Sequence, residues 1–218
     1  MRIALLFFGR LKAFEDCYES IKLNFLDLFK DSTYDSFLSH NSNNISDNLK
    51  LFNDLYNVKE YESINVKEYI NLSEYENIPL HHWKVSSKDS IYFCHNLQRV
   101  YQIMENYAKA NSIKYDIVIV MRADMFFNKP FIISDNINEN TIYTPILWDH
   151  TGINGQFAYG TTESIKLFCN INDNIRSIYE IYNEGYHIET YVGHNISLNK
   201  LNIVKVDIDY ILHPKRHA

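Results

Sequence analysis

The sequence predicts a single α/β domain in which a mixed, mostly parallel central sheet is flanked by helices, and three observations carry that reading. The opening run Met1-Arg-Ile-Ala-Leu-Leu-Phe-Phe8 is almost wholly apolar, without alternation, and stops at Gly9-Arg10. A strand covered on both faces has this pattern. From Phe14 to Phe29 apolar residues recur every three or four positions, with Glu15 and Asp16 near the start, where the helix dipole favours acids. A second apolar strand, Tyr115-Asp-Ile-Val-Ile-Val-Met121, runs directly into Arg122-Ala123-Asp124. Open α/β sheets place their ligands where polar residues follow strand ends in this way.

The other elements follow in order. Tyr34 to Ser39 reads as a short strand ending in the polar loop His40-Asn41-Ser42-Asn43-Asn44, and Leu49 to Tyr56 as a helix. Ser63 to Tyr69 suits helix or strand, and the stretch 71–84 around Pro79 has no clear period. Ser90 to Ala110 is the clearest helix, with Ile91, Cys94, Leu97, Val100, Tyr101, Met104, Tyr107 and Ala108 on one face. Ile142 to Pro145 and Gln156 to Tyr159 read as strands, separated by a glycine-containing loop from Trp148 to Gly155. Thr161 or Thr162 caps a helix starting near Glu163. A helix around Thr190 to Leu198 and a last strand within Asn202 to Ile211 complete the chain.

Composition bounds the function. The 218 residues contain no segment of linker composition, and 46% hydrophobic residues allow one substantial core. A net charge of −6 argues against a broad phosphate-binding surface, so nucleic acid is not an expected partner. Cys17, Cys94 and Cys169 lie far apart and show neither metal-ligand spacing nor a disulfide framework. The apolar run Ile3 to Phe8 is too short for a signal-peptide core or a membrane span, which predicts a cytoplasmic protein near membranes only through its substrate. The abundant Tyr and Phe, alongside many Asn, Ile and Lys, read as a bias of AT-rich coding rather than as a stacking surface.

The chemistry centres on Asp124. A carboxylate two residues past an apolar strand emerges at the sheet edge, where it can hold a hard divalent cation through oxygen. Such a cation would bridge the phosphates of a bound diphosphate ester and stabilise the departing diphosphate. Arg122 is placed to fork onto phosphate or carboxylate, and the same spacing equally suits a structural ion pair between Arg122 and Asp124.

The run from Tyr115 to Phe127 resembles the strand and metal-binding turn of GT-A type glycosyltransferases, in a variant where Arg-x-Asp replaces Asp-x-Asp. The order of pieces is similar to small bacterial and viral glycosyltransferases of the surface-polysaccharide kind. These pieces are the strand ending Gly9-Arg10, the strand ending Ser39-His40, the long helix before Arg122-Ala-Asp124, and Gly155-Gln-Phe-Ala-Tyr-Gly160 ahead of a helix. The resemblance spans most of the chain but matches at motif level only over Arg122 to Phe127 and Gln156 to Gly160.

It implies a GT-A-like, Rossmann-like fold and a nucleotide-sugar donor held with Mn²⁺ or Mg²⁺. A glycan or glycolipid would accept the sugar. Phe8, Gly9 and Arg10 fall where relatives close around the base and ribose, and Arg99 could reach the diphosphate. Asp124 would hold the metal with His213, in the place of a late histidine of such enzymes, while Lys215 and Arg216 could cover phosphate. Two departures weaken the match. Arg122 occupies the place of the first acid, and Gly155 stands where an acid is expected before Gln156.

For the chemical step, Asp149 and Glu189 are the candidate bases, Asp149 beside Trp148 and His150, Glu189 at the start of a helix that would keep it ionised or merely be capped by it. His187 and His194 suit structural roles, and His81-His82-Trp83 has no companion ligands for zinc. The rival readings are a nucleotidyltransferase, which needs more carboxylates, and an inactive nucleotide-sugar or carbohydrate-binding module. The first turn has no glycine triplet of a dinucleotide fold, and no Gly-x-Ser-x-Gly elbow is present.

Overall fold

The computed structural model describes residues 1–11, 13–29, 32–41, 46–64, 75, 78, 87–134, 136–147, 149–150 and 152–213. The chain builds a seven-stranded sheet. Strand β1 (Arg2–Gly9) leads through α1 (Phe14–Asn24) and a 3₁₀ turn (Leu26–Phe29) to β2 (Thr33–Asn41). Helix α2 (Ser46–Tyr56), β3 (Val58–Ile64), α3 (Ser87–Ala110) and β4 (Ile117–Arg122) follow. After the short β5 (Met125–Phe127) come β6 (Thr141–Pro145), β7 (Phe157–Gly160), α4 (Thr162–Cys169), α5 (Ile171–Tyr182) and α6 (Ile188–Leu198). Strands β8 (Asn202–Val206) and β9 (Tyr210–Leu212) end the described chain.

The strand order is β3-β2-β1-β4-β7-β6-β8, with β7 antiparallel to β4 and β6 and the other pairings parallel. The mixed, mostly parallel sheet is therefore observed. From β1 the chain first builds outward to β2 and β3, then returns through α3 to place β4 on the other side of β1. Such a reversal opens a crevice at the carboxyl ends of the two strands that flank it. Here Phe8 of β1 pairs in register with Arg122 of β4, so the switch point lies at the strand ends that carry Gly9 and Arg122.

The uninterrupted apolar run of β1 follows from burial on both faces. Ala4, Leu6 and Phe8 face a core shared with α3, α4, α5 and α6, and Ile3, Leu5 and Phe7 face one shared with α1, α2 and β5. Side chains alternate across a strand, so both parities must be apolar when both faces are covered. The aromatic surplus fills this core. Phe7 packs edge-on against Phe52 at 5.3 Å, Phe14 against Phe52 at 5.2 Å, and Phe25 stacks on Phe131 at 5.4 Å. All three cysteines are buried and free.

Several elements differ from the sequence reading. The helix expected to Phe29 ends at Asn24, because Phe25 leaves helical geometry at φ −138° and the chain tightens into a 3₁₀ turn. Strand β3 begins at Val58, ahead of the ambiguous stretch, and as an edge strand it is exposed over much of its length, which removes the apolar signal. The last segment holds two strands. Three-residue β9 pairs with three-residue β5 in a separate antiparallel ribbon just past β4. Thr161 is the cap of α4, its hydroxyl accepting the Ser164 N–H at 3.2 Å. The stretch 71–84, including His81-His82-Trp83, lies outside the described residues apart from Tyr75 and Ile78.

Candidate functional site

The carboxyl edge of the sheet collects most of the polar residues singled out in the sequence. At β1, Gly9 adopts φ +101°, a conformation that L side chains rarely take, and no described atom lies within 4 Å of where a Cβ would stand. Among the described residues, that side of the Gly9 backbone is uncovered. The Phe8 side chain points instead into the core, edge-on to Phe93 at 4.9 Å. Arg10 reaches across to the first turn of α3 and pairs with Asp89 at 2.8 Å, both groups more than half exposed. Next to Gly9 in register, His40 is buried with Nε2 2.6 Å from the Ser63 hydroxyl, and burial lowers its pKa.

At the end of β4 the chain turns through Ala123 and Asp124 into β5, and the Arg122 side chain folds back on Asp124. Nε donates to Oδ1 at 2.8 Å and Nη2 to Oδ2 at 2.6 Å, a side-on fork that engages both carboxylate oxygens. The Asp124 side chain is 2% exposed against 22% for Arg122, so the guanidinium is the accessible half of the pair. The Asp124 carbonyl accepts the His213 N–H at 3.0 Å, which brings the end of β9 beside the turn. The His213 ring lies 3.8 Å from Asp16 on α1.

Facing this turn are a loop and a helix start. Asn154, fully buried, donates from Nδ2 to the Leu147 carbonyl and the Tyr210 hydroxyl, each at 2.7 Å, and accepts the Gln156 N–H at 2.8 Å. Tyr210 donates in turn to Gln156 Oε1 at 3.1 Å, and the Gln156 carbonyl accepts the Arg122 N–H at 3.1 Å. Asp149 accepts the Asn154 N–H at 3.0 Å and the Lys205 ammonium at 2.6 Å.

Glu189, in the first turn of α6, is 6% exposed, and its carboxylate lies 3.4 Å from His187 Nε2. Burial raises its pKa to about 7; Asp149 adds to the rise, while a backbone hydrogen bond and Arg122 oppose it. The sequence reading of a carboxylate held ionised by the helix start is thus incomplete, because desolvation outweighs the backbone hydrogen bond there and the nearby Arg122 charge.

The edge therefore brings together Arg122, Asp124, Asp149 and Glu189, with Gly9 at the adjacent strand end. Arg99 is engaged elsewhere. Its Nε and Nη2 fork onto Glu62 of edge strand β3 at 2.7 and 2.8 Å, and Nη1 donates to Gln102. Trp148, Lys215 and Arg216 lie outside the described residues. The sequence reading did not single out Asn154, Tyr210 or Lys205. Only the glycine-bracketed Gly152-Ile-Asn-Gly155 hinted that Asn154 organises a tight loop.

The divalent ion implied by the resemblance does not fit the side chains as they stand. Each Asp124 oxygen already accepts a guanidinium N–H, and the His213 ring is directed to Asp16. Among the described residues no three His, Cys, Asp or Glu side chains are grouped so as to hold a metal.

No protein-family model and no curated protein matches the chain. Among solved structures, the apo crystal structure of mouse xyloside xylosyltransferase 1 is similar, with a TM-score of 0.54 at 10% identity. The match covers 94% of this chain and 84% of that one. The fold is that of the GT-A glycosyltransferases, a mixed α/β sheet flanked by helices. Among the described residues no helix is long and apolar enough to cross a membrane.

Proposed function

We propose that this chain is a glycosyltransferase that moves a sugar from a nucleotide-sugar donor to a hydroxyl of a glycan or glycolipid, as in the cytoplasmic assembly of surface polysaccharides. The observation that carries the reading is the presence, at the same carboxyl edge beside the β1/β4 switch point, of a partly exposed guanidinium and a buried carboxyl whose pKa burial raises to about 7. A diphosphate leaving group needs the first and an acceptor hydroxyl needs the second.

In an inverting reaction the C1–O bond to the diphosphate breaks, and its electron pair leaves on the diphosphate oxygen. The acceptor oxygen forms the new bond to C1. Its proton passes to the Glu189 carboxylate. The open backbone at Gly9 gives the base and ribose a close approach, and Arg122 faces the diphosphate. Asp149 is the second candidate base, held by Lys205 at 2.6 Å.

The test is a screen of nucleotide sugars for slow donor hydrolysis and for transfer to simple glycosides. One sugar donor released as nucleoside diphosphate by the wild-type chain and not by Glu189→Gln supports the proposal. Binding of a donor that is never cleaved, with or without acceptor, would favour the alternative of a binding module. That alternative draws on the Asp149–Lys205 pair, which occupies one of the two carboxylates available as a base.

A further inference from the structure

Building on the transferase reading, we propose that Arg122 itself supplies the positive charge at the leaving diphosphate, and that Asp124 is the positioning residue that aims it rather than a metal ligand.

A guanidinium carries five N–H donors in a rigid plane. Asp124 takes one from Nε and one from Nη2, the side-on edge of the fork. This leaves one N–H on Nη2 and both on Nη1, the end-on edge, which suits two oxygens of a phosphate or diphosphate. Among the described residues no acceptor is paired with Nη1 of Arg122. The burial is asymmetric in the sense the role demands, the carboxylate at 2% sealed beneath the guanidinium at 22%. A buried carboxylate clamping a partly exposed arginine fixes its rotamer before ligand arrives, so little side-chain entropy is lost on binding. The clamp is also held from behind, since the Asp124 carbonyl is tied to His213 and the Arg122 N–H to Gln156. The Arg122 charge acts to lower the pKa of both Glu189 and Tyr210, so the guanidinium lies in the electrostatic neighbourhood of both.

Inorganic pyrophosphate, titrated calorimetrically into the full chain, is the probe. In EDTA the wild-type chain binds it, and excess Mg²⁺ leaves the affinity within about threefold. Arg122→Gln weakens binding about tenfold or more, the loss of a charge-assisted fork. Asp124→Asn is the discriminating variant. Removing a carboxylate lowers the local negative charge and on electrostatics alone would tighten pyrophosphate binding, and a lost metal ligand would not register in EDTA. A positioning role instead predicts weaker binding in EDTA, an effect that vanishes in the Arg122→Gln background.

Binding that appears only with Mg²⁺ overturns the proposal, as does unchanged or tighter binding by Asp124→Asn. The wild-type comparison of EDTA with Mg²⁺ decides even if a variant fails to fold. If pyrophosphate behaves as expected while no nucleotide sugar is turned over, the transferase reading fails alone. If sugar transfer occurs but strictly requires a divalent ion, the present inference fails and the transferase stands.

Discussion

Gly152 lies directly against the first turn of α6, so close that a Cβ at this position would collide with the carbonyl oxygen of Glu189 and the amide nitrogen of Thr190. The next residue is bonded to the same carbonyl, with the Ile153 N–H donating to it at 2.8 Å. The loop that carries Asp149 and Asn154 is thus seated on the helix that carries Glu189, and the missing side chain of one glycine permits it.

Gly152→Ala is predicted to destabilise the fold by about 1–3 kcal/mol, the usual cost of forcing atoms into a packed contact. Urea denaturation measures this, and donor turnover should fall further than stability alone accounts for. A variant with wild-type stability and activity would show that the contact relaxes freely.

Glu189 makes stability depend on pH in a defined direction. Its carboxyl titrates near 7 in the fold against an ordinary 4.5, so between these values the folded state holds a proton that the unfolded chain has released. Stability therefore falls as pH rises from about 4.5 to 7, by about 3 kcal/mol in all, and levels off above. The groups facing it are the charged Arg122 at the end of β4 and Asp149 in the opposite loop, and the titratable His187 just before α6. Glu189→Gln should remove this slope, as read by denaturation at pH 5, 6, 7 and 8.

Catalysis is predicted to run the other way. A base must be ionised, so kcat/KM rises as pH passes through about 7, where the Glu189 carboxyl loses its proton. In Glu189→Gln the rate should drop by about 10²–10⁴ and the remaining activity should lose that rising limb. A wild-type limb retained in the variant would move the role to another group, with Asp149 the first to examine.

Asn154 is the polar hub of the loop, with its amide and its oxygen all engaged at 0% exposure. Asn154→Ala strands the Gln156 N–H and removes donors from Leu147 and Tyr210, and is predicted to cost about 3 kcal/mol. Thermal denaturation checks the stability. A loss below about 1 kcal/mol would mean that water substitutes for the side chain.

Arg99→Ala tests a residue that the resemblance placed near the diphosphate. Its fork is spent on Glu62, a pair 37% and 27% exposed, so the variant should lose less than about 1 kcal/mol of stability and keep full donor turnover. A large rise in KM for the donor would return Arg99 to the site.

Legibility followed burial. The strands β1 and β4 and helix α3 were readable because a continuous apolar run or a three-four repeat reports which faces meet the core, and that information is local. Strand β3, at the sheet edge, and the three-residue β5 and β9 were not readable, since exposure or brevity leaves no period to detect. The carboxyl edge was legible as a place, through Gly9 and the Arg122-Ala-Asp124 turn.

What the amino-acid order determined by itself is the continuous apolar runs of the core strands, the three-four repeat of the long helix and the exit of Arg122 and Asp124 at the end of a core strand, because covalent spacing sets all three. Which charge each side chain meets was decided by the tertiary structure alone. Arg99 found Glu62 across 37 residues and Lys205 found Asp149 across 56. Such pairings depend on distances through space that no periodicity encodes. The environment of Glu189 was settled in the same way, since its near-neutral pKa comes from loops and strands packed around it, not from its position at a helix start.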